Sequence, residues 1–419
     1  MRLLNLHTLQ FEEFYSEDDT PPYAILSHRW TRHEVSHRNL VDGCDQNSAG
    51  YNKIIEFCNF ARSRTTSIFN KQRGLREDSI VHWGWLDTIC IDKSSSQELS
   101  ESINSMFAWY KNAAVCYAYL CDVPATFEGA AAVAKAFAES EWFDRGWTLQ
   151  ELLAPRDVIF CDRAWQVIGH KCALHAREHG LSPKCAMNDH KQLYGPSLNA
   201  EIHQRTNIDH RYLEKPICIF AASIACRLSW AAYRKTTRIE DTAYCLLGML
   251  KINMPLLYGE GSTAFMRLQE EIIRRSSDQS IFCWTPAFGG LTHARGALLA
   301  HDPRDFARSS DIVATGQSPD TPYALTNIGL EIRAKTKKIW DSKANRYVYV
   351  MQLNCGFPGK DPRFPYPGIG REEELVPAIL VLEHTSSYEN LYQRVEYCSP
   401  EVLAKKGEEV AERLFYVRA

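Results

Sequence analysis

The segment from Ser140 to Pro155, SEWFDRGWTLQELLAP, contains the residues best suited to chemistry. Its pattern predicts a short helix that the proline ends. Trp147 and Glu151 are four positions apart, so their side chains share one face of that helix. The sequence thus places an acidic side chain beside an aromatic wall, at the mouth of a predicted α/β domain. The alternative is an ordinary amphipathic helix whose glutamate is solvated.

Two other clusters have the composition of metal sites but not the spacing. His33–His37 matches H-E-x-x-H, which binds zinc when both histidines lie on one helix. Here the motif stands between a strand end and a loop-like segment, and no third ligand follows. The cysteines and histidines of residues 172–190 fit no common zinc-finger spacing. We therefore expect polar loops in both places and no bound metal. Cys90 lies in an apolar run, which favours a buried, inert thiol over a nucleophile.

Alternating strand and helix signals in the first third of the chain must position these residues. Apolar runs predict four buried strands, Tyr23–Ser27, Trp83–Ile91, Ala114–Leu120 and Val158–Cys161. Helical patterns between them indicate a parallel sheet, because parallel strands need crossover connections. In such sheets functional groups gather beyond the carboxyl ends of the strands. Ser27–Trp30 and Asp87–Asp92 stand at or near such ends.

The helical patterns themselves have predicted limits. Helices are expected at Gly50–Arg64, from an N-cap at Ser100 to Asn112, and at Ala130–Ala138. In the middle third, Thr236–Leu257 is expected to form one helix and a turn. We predict three domains: an α/β domain over residues 1–165, a helical extension over 166–285, and a β-rich C-terminal domain over 286–419.

Composition indicates a globular chain without a nucleic-acid or membrane signature. The chain has 419 residues and a net charge of −3, which gives no general electrostatic footprint for nucleic acid. The acids that follow the first leucines exclude a signal peptide, and no apolar run is long enough to span a membrane. The 14 cysteines are scattered without a C-x-x-C pair, so we expect reduced thiols and a cytoplasmic protein.

Several motifs carry a family resemblance. They are YAILSHRW (Tyr23–Trp30), WLDTICID (Trp85–Asp92), SINSMFAWYKNA (Ser102–Ala113) and RGWTLQELLAP (Arg145–Pro155). Their types and order resemble the fungal heterokaryon incompatibility (HET) domain, and Glu240–Ile272 resembles the segment that often follows that domain. Two positions depart from the pattern: Thr31 stands where glycine is usual, and Lys93 stands where glutamine is common.

HET domains are similar to Toll/interleukin-1 receptor (TIR) domains, so the resemblance implies a flavodoxin-like parallel sheet. In TIR domains that cleave NAD, a glutamate lies on the helix after a central strand, often within an S-x-W-C-x-x-E-L pattern. Ser140, Trp147 and Glu151 are the nearest equivalents here, although their spacing differs. The resemblance therefore implies that Glu151 is the catalytic carboxylate.

A single carboxylate suits the cleavage of NAD. Nicotinamide leaves as a neutral base, so no general acid is needed, whereas the oxocarbenium-like transition state needs a nearby anion. The remaining candidates would bind the nucleotide: Trp30 or Trp147 by ring stacking, Arg29 or Arg145 at the diphosphate, and Ser27 and His28 in the pocket wall. Asp87 is expected to cap a loop. The alternatives are core packing for the tryptophans and structural ion pairs for the arginines.

Two hypotheses of different classes follow. The first is a TIR-like NAD glycohydrolase of fungal cell death and self/non-self defence, with NAD as substrate and no required cofactor. The second is a non-enzymatic signalling module that acts by oligomerisation. Both predict a homo-oligomer and allow a regulatory protein partner. A HET fold alone does not decide between them, because a fold does not entail an active site.

Overall fold

A computed structural model describes residues 1–70, 75–125, 129–177, 180–183, 194–287, 297–315, 323–342, 345–357, 376–385, 391–394 and 408–417. The chain forms two compact units. The first unit comprises Met1–Ile219 and Arg234–Thr236, and the second comprises Phe220–Tyr233 and Thr237–Ala419. The domain boundaries expected at residues 165 and 285 stay predictions.

A seven-stranded mixed sheet forms the centre of the first unit. Its strands are β1 (Arg2–Asn5), β2 (Phe11–Glu13), β3 (Tyr23–His28), β6 (Trp83–Trp85), β7 (Val115–Tyr119), β8 (Val158–Cys161) and β9 (Val167–Lys171), in the order β2-β1-β6-β3-β7-β8-β9. Two hairpins lie outside it, β4 (Thr65–Asn70) with β5 (Leu75–Ile80) and β10 (Leu174–Arg177) with β11 (Gly180–Pro183).

The four central strands, β6, β3, β7 and β8, run parallel. When these four strands are numbered by their order in the sequence, their order across the sheet is 2-1-3-4. Strands β1, β2 and β9 add antiparallel edges on both sides, so the sheet is mixed, with the expected parallel strands at its centre. Both β3 and β8 consist entirely of buried residues, which explains their continuous apolar sequences.

Strand β6 is shorter than the apolar run Trp83–Ile91 predicts. It ends at Trp85, and the amides of Ile89 and Cys90 then donate to the carbonyl of Leu86 at 3.2 and 2.8 Å. These local bonds close the chain into turns, yet Leu86 and Ile89 remain fully buried. The run therefore indicated burial correctly and strand length incorrectly.

Helices of the first unit lie in the connections between strands and after the last of them. They are α1 (His37–Asp42), α2 (Ala49–Arg62), α3 (Ser96–Asn112), α4 (Ala130–Glu139), α5 (Thr148–Leu153), α6 (Asn199–Thr206) and α7 (His210–Glu214). The N-cap of α3 is Ser95, whose hydroxyl accepts from the amide of Glu98, and not Ser100 as predicted. Residues 140–155 do not form one helix, because a 3₁₀ turn, Glu141–Asp144, precedes α5.

The second unit combines short helices with a C-terminal sheet. Its helices are α8 (Ile224–Ser229), α9 (Asp241–Tyr244), α10 (Leu247–Leu250) and α11 (Thr263–Arg275), with 3₁₀ helices at Gln279–Phe282 and Pro303–Phe306. The single helix expected in Thr236–Leu257 is two short ones. The second ends at Lys251, which has a left-handed φ of 58°.

A second seven-stranded sheet confirms the β-rich character of the C-terminal region. Its strands are β12 (Val313–Ala314), β13 (Tyr323–Leu325), β14 (Leu330–Asp341), β15 (Arg346–Phe357), β16 (Val376–His384), β17 (Leu391–Arg394) and β18 (Glu408–Val417). Their order is β12-β15-β16-β17-β18-β14-β13, with β14 also pairing with β15. All pairings except β17 with β18 are antiparallel.

The start of α2 packs directly against the backbone that follows β3. A Cβ atom built on Gly50 would lie 2.2 Å from the carbonyl oxygen of His33 and 2.9 Å from the amide nitrogen of Val35. Both obstacles are main-chain atoms, which cannot rotate away. Only glycine therefore allows this approach, and α2 in turn carries Lys53 towards the end of β3.

We expect Gly50→Ala to lower the free energy of unfolding by about 3 kcal/mol, because the added methyl group overpacks a rigid contact. Chemical denaturation monitored by tryptophan fluorescence measures this change. Asn52→Ala, on the exposed side of the same helix, is the control and should stay within about 0.5 kcal/mol of the wild type. Equal stability of the two variants would contradict the close approach.

Candidate functional site

The polar side chains of the site meet at the carboxyl ends of the parallel strands. Ser27 and His28 are the last residues of β3, and Asp87 follows the end of β6 by two positions. Glu151 lies on α5, in the connection between β7 and β8. Residues far apart in the sequence are therefore brought to one edge of the sheet.

Glu151 and Ser27 form the buried centre of the site. The Ser27 hydroxyl donates to the Glu151 Oε2 at 2.5 Å and accepts from the Trp142 indole nitrogen at 2.9 Å. Trp142 is itself buried and packs edge-on against Phe143 and Phe160. The indole therefore fixes the serine hydroxyl, and the hydroxyl can then present its proton only towards the carboxyl group.

Burial changes the acidity of Glu151. The residue is 7% exposed, and this loss of hydration raises the pKa of its carboxyl group to about 8. The Ser27 hydrogen bond and the positive charges of Arg145 and Arg234 oppose the shift, whereas the negative charge of Asp87 adds to it. Glu151 is consequently protonated at neutral pH in the free protein.

Asp87 is the hub of a second cluster beside this centre. Its Oδ1 lies 3.2 Å from the His28 Nε2, and its Oδ2 accepts from the Trp30 indole nitrogen at 2.8 Å. The Lys93 ammonium lies 3.6 Å from the same oxygen. Burial would raise the pKa of Asp87, but the Lys93 charge and the bonds from His28 and Trp30 hold it well below its usual range. Asp87 therefore stays ionised.

Lys53 determines the tautomer of His28. Its ammonium lies 2.9 Å from the His28 Nδ1, and an ammonium can only donate, so Nδ1 accepts. The proton of the neutral ring then sits on Nε2 and points to Asp87. Burial and the Lys53 charge both lower the pKa of His28, which keeps the ring neutral. On its other side Lys53 donates to the Glu34 Oε1 at 2.5 Å.

This use of Glu34 differs from its role in an H-E-x-x-H zinc motif. Glu34 also accepts from the Thr31 amide at 2.7 Å. Because α1 begins only at His37, the two histidines His33 and His37 do not lie on one helix. The His37 Nδ1 lies 2.8 Å from the carbonyl oxygen of Ile89. Within the described residues no group of three potential ligands is arranged around a metal position. Much of the cluster at 172–190 lies outside those residues.

Trp30 and the arginines form the outer part of the site. Trp30 is 42% exposed, and the Lys93 ammonium lies 3.3 Å from the centroid of its ring. The Arg29 guanidinium pairs with Glu141 at the surface. Arg145 is half-buried, and its carbonyl oxygen accepts from the Arg234 guanidinium at 2.9 Å. Lys93, noted as a departure from the family pattern, is thus a contact of both Asp87 and Trp30.

The sequence missed several members of the site. Trp142 contacts the Ser27–Glu151 pair through Ser27, and Trp147 is a half-buried residue directly before α5. Glu34 stood out only as part of the H-E-x-x-H match, and Lys53 gave no motif signal, although it is a lysine within an apolar helical pattern. That anomaly is the one sequence feature that indicated a buried cation. The Cys90 thiol is buried, and burial raises its pKa to about 12, in agreement with an inert role.

A cavity of about 830 Å³ lies elsewhere in the first unit. Its lining includes the loop Phe14–Tyr23, Trp109 on α3, and Ala113 and Ala114 just before β7. These residues belong to the amino ends of β3 and β7, whereas Ser27 and Glu151 belong to the opposite edge. The chemistry-bearing residues are therefore not those of the cavity.

Comparison with known proteins identifies this arrangement of residues. Residues 23–128 match the family described as heterokaryon incompatibility protein (HET), and residues 263–307 match a domain of unknown function, DUF8212. The first of these parts of the chain matches a HET domain. The HET match contains Ser27, His28, Trp30 and Asp87, whereas Trp142 and Glu151 lie beyond its last residue.

A curated relative supports the same conclusion. Over 259 residues, 60% of this chain, the HET-domain protein is 40% identical to the vegetative incompatibility protein HET-E-1 of Podospora anserina. The matched part is 16% of that relative, so the chain spans only a small portion of its length. No solved structure matches the chain.

The structure bears on two further expectations for the HET-domain protein, one about membrane spans and one about its cysteines. No helix of the described part is long and apolar enough to cross a membrane. Eleven described cysteines are free thiols, but Cys172 is disulfide-bonded, which corrects the expectation that all cysteines are reduced. The spacing of single cysteines in the sequence carried no sign of this bond.

Glu151 should make the stability of the HET-domain protein fall as pH rises. Its pKa is about 8 when folded and 4.5 in its ordinary state, so the folded protein binds the proton more tightly. This stabilisation is complete below about pH 4.5 and is lost by about 1.4 kcal/mol per pH unit as pH approaches 8. Urea denaturation of wild type and Glu151→Gln from pH 5 to 9 measures it.

The difference in unfolding free energy between wild type and Glu151→Gln should decrease up to about pH 8 and then level off. Glu139→Gln, which neutralises an exposed glutamate of α4, is the matched control and should run parallel to wild type. A pH-independent difference between wild type and Glu151→Gln would show that Glu151 is ionised in the folded protein.

Removal of the Lys53 charge should raise the pKa of His28. Lys53→Met keeps much of the side-chain volume and deletes the cation 2.9 Å from Nδ1, which is one of the two causes of the lowered pKa. NMR titration of the imidazole protons measures the shift. Lys135→Met on the exposed face of α4 should leave the titration of His28 unchanged. An unshifted pKa of His28 in Lys53→Met would contradict the effect of the Lys53 charge on this ring.

Proposed function

We propose that the chain acts in heterokaryon incompatibility, a self/non-self response that ends in cell death, and that its HET domain hydrolyses NAD to nicotinamide and ADP-ribose. The name of the relative, vegetative incompatibility protein, supports the biological role. The observation that carries the chemical role is the Glu151 carboxyl group, buried 2.5 Å from the Ser27 hydroxyl at the carboxyl edge of the parallel strands.

The order of the strands supports a TIR-like fold for this domain. The sequence order 2-1-3-4 of the parallel strands is the order of flavodoxin-like sheets. Such sheets bind ligands beyond the carboxyl ends of the first and third strands, where the order reverses. In this chain those strands are β3 and β7, and Ser27 and His28 stand at the end of β3.

The acidity of Glu151 suits a cationic substrate. A positively charged nicotinamide ring near the carboxyl group favours its ionised form, so NAD binding should release a proton from Glu151. The resulting carboxylate then stabilises the positive charge that develops on the ribosyl carbon as the bond to nicotinamide breaks. Water adds to that carbon and loses a proton, which gives ADP-ribose. Because Glu151 is 7% exposed, binding requires movement of the side chains that cover it.

The outer residues have matching roles in this proposal. The exposed face of Trp30 offers a ring for stacking against a base, and Lys93 beside it adds positive charge. Arg145 lies close enough to influence the Glu151 carboxyl group and would meet the diphosphate with Arg29. Arg29 must first leave its surface pair with Glu141. Asp87 and His28 hold Trp30 in position.

Release of nicotinamide from NAD by the purified chain tests the proposal. We expect turnover by the wild type and a loss of about 100-fold or more in Glu151→Gln, because the amide cannot supply the anion. Glu139→Gln is the matched control and should keep wild-type turnover, since this side chain is exposed on α4. Circular dichroism confirms that both variants fold.

The burial of Glu151 also favours a second function, a non-enzymatic module that signals by oligomerisation. In that case the Ser27–Glu151 bond is structural, and Glu151→Gln changes stability without changing any reaction. Absence of nicotinamide release by the wild type, also when a fused oligomerisation domain concentrates it, would refute NAD hydrolysis and favour this module. Equal release by wild type and Glu151→Gln would retain an enzyme but remove Glu151 from its mechanism.

A further inference from the structure

We propose that Cys283 and Cys355 form an oxidation-sensitive dithiol site in the second unit, which hydroperoxides convert to a disulfide. The two Sγ atoms lie 3.4 Å apart, although 72 positions separate the residues in sequence. A disulfide requires an S–S distance of about 2.05 Å, so the sulfurs must approach by little more than 1 Å. Side-chain rotation supplies a movement of that size.

The surrounding backbone holds the two cysteines in this arrangement. Cys283 follows the 3₁₀ helix Gln279–Phe282, and its amide donates to the Ser280 carbonyl at 2.7 Å. The Ser309 hydroxyl donates to the Cys283 carbonyl, also at 2.7 Å. On the other side the amide of Asn354, next to Cys355 on β15, donates to the Gln279 side chain at 2.8 Å. The 3₁₀ helix is thereby bonded to the strand, and the thiols stay in register.

The two thiols differ in exposure, which assigns their roles. Cys283 is half-buried and accessible to a small oxidant, whereas Cys355 is 1% exposed. The hydrogen bond with Cys283 and burial both raise the pKa of the Cys355 thiol, which disfavours its thiolate. Cys283 is therefore the thiol that reacts with the oxidant, and Cys355 is the thiol that resolves the product.

The reaction balances with one molecule of hydroperoxide. With hydrogen peroxide, the Cys283 thiol loses its proton and its sulfur attacks a peroxide oxygen; the O–O bond breaks, and the released hydroxide takes up that proton, so a sulfenic acid and one water form. The Cys355 sulfur then attacks the sulfenyl sulfur of Cys283. An S–S bond forms, the S–O bond breaks, and a second water leaves with the thiol proton. Two thiols lose two electrons in total, and the peroxide gains them.

The product would tie together two parts of the second unit. Cys283 lies in the 263–307 stretch that matches the domain of unknown function, and Cys355 lies on β15 of the C-terminal sheet. A bond between them closes a loop of the intervening chain and restricts separation of the 3₁₀ helix from the strand. The oxidised and reduced chains should therefore differ in the stability of this unit.

Peptide mapping of the whole folded chain tests the site. The protein is treated with hydrogen peroxide, its remaining thiols are alkylated, and the digest is analysed by mass spectrometry before and after dithiothreitol. We expect a linked peptide pair that contains Cys283 and Cys355, has lost two hydrogens and separates on reduction. Cys283→Ser should abolish the pair. Cys218→Ser, at another half-buried cysteine, should leave its yield unchanged.

The wild-type measurement decides the matter even if a variant does not fold. Sulfinic or sulfonic acid on Cys283 with an alkylated Cys355 would overturn the proposal, because a resolving thiol in contact should react first. A disulfide from Cys283 to any other cysteine would also overturn it, as would full alkylation of both residues after a peroxide dose that oxidises Cys218.

Discussion

The hydrogen bond from Ser27 to Glu151 is the contact on which the site depends. It joins the end of β3 to α5 across 124 positions of sequence, and the Trp142 indole fixes the serine from behind. A buried carboxylate is costly, so the protein keeps Glu151 protonated at neutral pH rather than pairing it with a buried cation. Burial stabilises this contact. It also makes the pKa of Glu151 sensitive to any positive charge that enters the site.

Beside this contact, charges of opposite sign alternate through the side chains of Glu34, Lys53, His28, Asp87 and Lys93. Each charged member has a partner of the other sign, and the neutral histidine lies between Lys53 and Asp87. An alternating chain of this kind tolerates burial because each ion compensates its neighbour. Loss of one member would leave its neighbour uncompensated. Lys53 can occupy an inward position of α2 because Glu34 compensates its charge.

The two units contain different kinds of chemistry. In the first, titratable groups converge at the carboxyl ends of parallel strands, as expected where strand order reverses. In the second, the described chemistry is that of sulfur, with two thiols in contact between a 3₁₀ helix and an antiparallel strand. The two proposals therefore concern different residues of the chain.

The sequence by itself determined the resemblance to the HET family, the alternation of strands and helices, and the candidates Ser27, His28, Trp30, Asp87 and Glu151, because motifs and hydrophobic periodicity can be read from neighbouring residues. It overestimated β6, since an apolar run reports burial whether the backbone is extended or turned. Only the tertiary structure decided the partners. Trp142 bonds to Ser27, Arg29 pairs with Glu141, and Lys53 contacts His28, because these contacts join segments that the sequence keeps apart.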